Sequence, residues 1–90
     1  MSTRIFRYEV PVDDEWHEIN LQFDPLSVDC RALDVVEFWA FDEPFGPPKT
    51  QRRFRVFGTG QVLPEDEPCS YVGTAIAPGG QLVWHLMEAR

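Results

Sequence analysis

Ninety residues suffice for one domain around one core, so a second domain is excluded. The 43% apolar fraction, with seven Phe, three Trp and two Tyr, excludes a disordered chain. Eight Lys and Arg against fifteen Asp and Glu give a formal charge of −7, which repels phosphate backbones and anionic headgroups and so sets nucleic acid and membrane aside as partners.

Met1 to Pro11 alternates charged with apolar residues, unlike a signal peptide, and nowhere are there the roughly 18 uninterrupted apolar residues of a membrane span. The expected location is cytoplasmic. Cys30 and Cys69 are too few for a four-cysteine zinc site and are expected as free thiols.

In Arg4 to Val12, Phe6, Tyr8, Val10 and Val12 alternate with Arg7 and Glu9, the period of a half-buried strand. After the acidic turn Asp13 to Glu15, His17, Ile19, Leu21 and Phe23 alternate with Glu18, Asn20 and Gln22. This predicts a hairpin with the first strand, ended by Pro25. Leu26, Val28 and Cys30 form a third short strand, with a helical turn near Asp29 to Asp34 as an alternative. Leu33 to Phe41 is apolar on both faces, which predicts a central strand.

Pro44, Gly46, Pro47 and Pro48 make residues 42 to 50 an exposed connection, the longest loop expected. Gln51 to Phe57 follows, with Phe54 and Val56 opposite Arg53, Arg55 and Phe57. Gly58, Thr59 and Gly60 end that strand, and Leu63 to Pro68 is a polar turn. Ser70 to Ala77 and Gln81 to Met87 complete the chain as a hairpin about Pro78, Gly79 and Gly80.

The reading is therefore a single all-β domain over residues 1–90, a small, mostly antiparallel β-sandwich or partly open barrel of six to seven strands. Phe6, Tyr8, Ile19, Leu21, Val28, Phe38, Phe54, Val56, Leu82, Trp84 and Leu86 are expected to be largely buried.

Signals for chemistry are sparse. Catalysis would need His17 and His85 to converge with a carboxylate such as Glu18 or Glu88; otherwise both are structural or surface histidines. Ser2, Ser27 and Ser70 lack a nucleophile elbow, and neither cysteine stands in a nucleophile signature. The G-T-G at 58–60 has no helix after it to cradle a phosphate, and the acidic turns lack calcium-loop spacing. No cofactor or metal is implied.

The loop at 42–50 offers more. Its prolines limit the entropy lost on docking, and Phe45 either anchors a partner or folds back as a lid on the core. Half of the basic residues, Lys49, Arg52, Arg53 and Arg55, follow directly. Arg53 and Arg55 share a strand face, either as a positive stripe or paired with neighbouring acids. The candidate partner-binding residues are Phe45, Pro47, Pro48, Lys49, Arg53 and Arg55.

Several ordered features coincide: I-F-R-Y-E-V-P-V near the start, F-W-A at 38–40, R-F-R-V-F-G-T-G at 53–60, Y-V-G-T at 71–74 and L-V-W-H-L at 82–86. This series resembles a family of short proteins of unknown function encoded by bacteriophages of mycobacteria and related actinobacteria. Members of that family commonly carry histidine directly after G-T-G, where Gln61 stands here, whereas His85 matches their pattern. No activity is implied by the resemblance.

The expected function is a small non-enzymatic phage accessory protein that binds a host or phage protein in the host cytoplasm. A virion structural or assembly component and a small hydrolase or metal-dependent enzyme are the alternatives. Self-association into a homo-oligomer stays open.

Overall fold

The computed structural model describes residues 2–90, and its seven strands form two stacked sheets. The strands are β1 (Arg4–Pro11), β2 (His17–Leu21), β3 (Ser27–Ala32), β4 (Val35–Asp42), β5 (Thr50–Gly58), β6 (Cys69–Ile76) and β7 (Val83–Ala89). One sheet has the order β1-β4-β3 and the other β2-β5-β7-β6, with every pair antiparallel. The all-β reading holds, and the architecture is a sandwich rather than a barrel. Among the described residues there is no helix, so no helix is long and apolar enough to cross a membrane.

Alternation places the core. Val36, Phe38 and Ala40 of β4 point inward and are fully buried, as are Phe54 of β5 and Leu86 of β7. Phe38 bridges the layers, with its ring centroid 5.2 Å from Tyr8 and 4.9 Å from Phe54. Each buried aromatic of this kind contributes on the order of 2–3 kcal/mol by leaving water. The sheets draw closest between β3 and β6, where a Cβ on Gly73 would lie 2.5 Å from Val28 Cγ2. Glycine is what permits that approach.

Leu21, Phe38, Phe54, Val56 and Leu86 are buried as expected, and Tyr8, Ile19, Val28 and Trp84 are half-buried against the core. Two expectations fail. Phe6 is 39% exposed, because it lies on the edge strand β1, whose burial becomes complete only at Val10. Leu82 is 46% exposed, because β7 begins one residue later, at Val83.

The expected hairpin between the first two strands does not form either. β1 pairs with β4 and β2 with β5, so the connecting turn, with Asp14 at φ 62°, carries the chain from one sheet to the other. Alternation fixes which residues share a face but not which strand lies alongside. Residues 29–34 form no helical turn: β3 runs to Ala32 and turns at Leu33–Asp34. β4 is central, as its two apolar faces predict, and β6 and β7 form the expected hairpin, with Gly79 and Gly80 at φ 91° and 77°.

The longest connection is not 43–49 but the ten residues 59–68. β5 and β6 both run antiparallel to β7 and hence parallel to one another, so the chain must return along the sheet. Gly58 faces Trp84 and Cys69 faces Ala89, a return of about 17 Å along β7 and two strand spacings across. Ten residues reach up to about 33–36 Å, enough to cross the sheet's outer face as a strap. On that face Phe57, in register with Arg53 and Arg55, is only 1% exposed.

Candidate partner-binding site

β4 ends at Asp42 and β5 starts at Thr50, and the residues between them are folded tightly. Proline at position 44 presets the bend of Glu43-Pro44-Phe45-Gly46, and the Gly46 N–H closes it on the Glu43 carbonyl at 3.0 Å. Gln22, just past β2, then fixes the turn through both ends of its amide. Its Oε1 accepts from the Glu43 N–H at 2.7 Å, and its Nε2 donates to the carbonyls of Glu43 at 2.7 Å and Pro47 at 2.8 Å. A Cβ on Gly46 would meet Glu43 at 3.0 Å and Gln22 at 3.1 Å, so a larger residue would push the staple away.

At the tip of this turn Phe45 is 81% exposed. The lid reading is overturned: with its neighbours pinned from behind by Gln22, the phenyl ring points to solvent. Pro47, Pro48 and Lys49 are also exposed, and Lys49 Nζ lies 3.3 Å from Asp42 Oδ1.

Arg53 and Arg55 lie further along β5, on the outer face of the four-stranded sheet, so they do not join the turn. Arg53 pairs with Glu67 of the strap at 2.7 Å, its guanidinium 5.6 Å from the Trp16 ring. Arg55 approaches Asp14 at 3.9 Å and lies 4.5 Å over the Phe57 ring. Arg52 holds Glu88 through Nε at 2.5 Å and Asp24 through Nη2 at 2.9 Å, and these carboxylates raise its pKa. The basic run is therefore neutralised rather than a free positive stripe.

The histidines occupy separate clusters. His17 Nε2 lies 2.8 Å from Asp13 Oδ1, a hydrogen bond that holds the Asp13 carboxyl below its ordinary pKa. His85 is held at both ring nitrogens, by Thr59 Oγ1 at 2.8 Å and Thr74 Oγ1 at 3.0 Å, and Tyr71 adds a 2.7 Å hydroxyl contact to Thr74. Glu88, a carboxylate that catalysis would need, is engaged by Arg52. Among the described residues no three His, Cys, Asp or Glu side chains gather to hold a metal ion. Cys30 and Cys69 are both free, and burial pushes the Cys30 thiol pKa up.

Sequence reasoning did not find Gln22, whose place in a regular alternation gave no sign of a role beyond the strand. A turn held by Gln22 with one aromatic exposed at its tip, on a sandwich of two short sheets, makes this a small β-sandwich domain. The chain belongs to the family described as a domain of unknown function (DUF7352), whose model matches residues 1–90. No curated protein and no solved structure matches it.

Proposed function

We propose that this protein is a small non-enzymatic accessory protein that binds another protein through the Phe45 turn. The observation that carries the reading is a phenyl ring 81% exposed on a turn whose backbone is already locked. Burying such a ring in a partner's pocket contributes about 2–3 kcal/mol, and little ordering entropy opposes it when the backbone is fixed beforehand. Pro47 and Pro48 extend the locked surface, and the Lys49–Asp42 ion pair lies at its rim.

The resemblance to short proteins of actinobacterial phages makes a host or phage protein the natural partner and the host cytoplasm the natural place. Affinity capture from host and infected-cell lysates, with wild type, Phe45→Ala and Leu33→Ala side by side, tests the reading. Leu33 is an exposed apolar residue on the β3–β4 turn and serves as control. The expected result is a protein retained by wild type and Leu33→Ala and lost with Phe45→Ala. Equal recovery by Phe45→Ala would overturn it.

A further inference from the structure

The strap at 59–68 leaves a concavity of about 310 Å³ between itself and the outer face of the four-stranded sheet. Its floor is Phe57 and Met87, both buried, and its walls are Tyr71, His85, Leu63 and the turn beginning at Gly58. Because Thr59 and Thr74 occupy both nitrogens of His85, the imidazole stands as a fixed flat wall. The site lies at the Gly58 end of β5, whereas the Phe45 turn precedes its Thr50 end.

We propose that this concavity docks one aromatic side chain from a basic segment of another protein. Size permits it: an enclosed cavity of roughly 150 Å³ holds benzene, and this concavity, open on one side, offers about 310 Å³. Its chemistry fits, since the Tyr71 and His85 rings and the Leu63 side chain offer the edge and face contacts that aromatic rings favour. Charge selects the flanks. The strap carries Glu65, Asp66 and Glu67 two to four residues beyond Leu63, which lines the concavity. The nearby cations are already taken, Arg53 by Glu67 and Arg55 by Asp14. Glu65 and Asp66 form no ion pair among the described residues, so an approaching lysine or arginine meets uncompensated carboxylates. A second copy is a poor occupant, because it brings another net charge of −7 and its exposed Phe45 follows Asp42 and Glu43.

The site does not depend on the Phe45 reading and is tested separately, by amide NMR titration of the full chain with capped Lys-Trp-Lys and Glu-Trp-Glu. Saturable shifts are expected at Gly58, Thr59, Tyr71, His85 and Met87. The lysine peptide should bind about tenfold tighter at low salt, a margin that shrinks at about 0.5 M salt. Tyr71→Ala should weaken binding severalfold, and Leu63→Ala, on the strap instead of the sheet, provides the same readout if the first variant folds poorly. No saturable shift, shifts centred on the Phe45 turn, equal affinity for both peptides, or indifference to both substitutions would overturn the proposal. So would shifts at these residues on concentrating the protein alone, which would make the occupant a second copy.

Discussion

Gln22 spends its whole amide on the backbone of the 43–47 turn, one acceptor and two donor contacts, so the turn's shape depends on a side chain from another strand connection. At 0.5–1.5 kcal/mol for a typical hydrogen bond, Gln22→Ala is expected to cost about 2 kcal/mol in urea denaturation and to speed exchange of the Glu43 amide. Glu37 is a second residue whose setting could not be read from its neighbours. It points to the outer face of the three-stranded sheet yet is 3% exposed, because Arg31 grips it bidentately at 2.7 Å and Arg7 adds a contact at 2.8 Å. The Arg31 hydrogen bonds, followed by those of Arg7, outweigh desolvation and lower its pKa from 4.5 to about 2. The folded pKa lies below the unfolded one, so this stabilisation is complete above pH 4.5 and is lost as pH falls towards about 2. Urea midpoints taken across that window should fall more steeply for wild type than for Glu37→Gln; parallel curves would contradict the assignment.

At the scale of elements, alternation made all seven strands legible, because a period of two needs only local sequence. Pairing was not legible, because β1 and β2 are each compatible with several neighbours and the turn at Val12–Trp16 decides between them. The face shared by Arg53 and Arg55 was legible, but their neutralisation was not: Glu67 arrives on a strap whose path follows from strand order. Phe57, which alternation puts among arginines, is buried beneath Trp16 of the β1–β2 connection, 6.2 Å away, and Arg55. Phe57→Ala should therefore destabilise the fold by about 3 kcal/mol, as a core truncation does; a loss under about 0.5 kcal/mol would mean the outer face is solvated there. Where the sheets meet most closely, Gly73→Ala should cost about 1–3 kcal/mol through overlap with Val28. Val28→Ala in the same chain should recover part of that loss, as a double-mutant cycle would show.

For the molecule as a whole, strand spacing and turn residues foresaw a small antiparallel β-domain, either sandwich or partly open barrel, and the candidate site was foreseen in part. The proline-rich loop and its phenylalanine were visible as composition. Whether Phe45 faced the core or the solvent depended on Gln22, which lies 23 positions earlier in the chain. Six of the eight Lys and Arg side chains, Arg7, Arg31, Lys49, Arg52, Arg53 and Arg55, are engaged by carboxylates. The rest of the surface is therefore dominated by acids, with Phe45 as one of its most exposed large apolar groups. On this account Phe45→Ala leaves stability within about 0.5 kcal/mol of wild type, since an exposed ring contributes little to the fold. The most direct test of partner binding places the photocrosslinker benzoylphenylalanine at position 45, and separately at position 33, in cells where the protein acts. Irradiation should give a discrete crosslinked protein from position 45 and none from position 33, whereas the same products from both positions, or none from 45, would contradict the account.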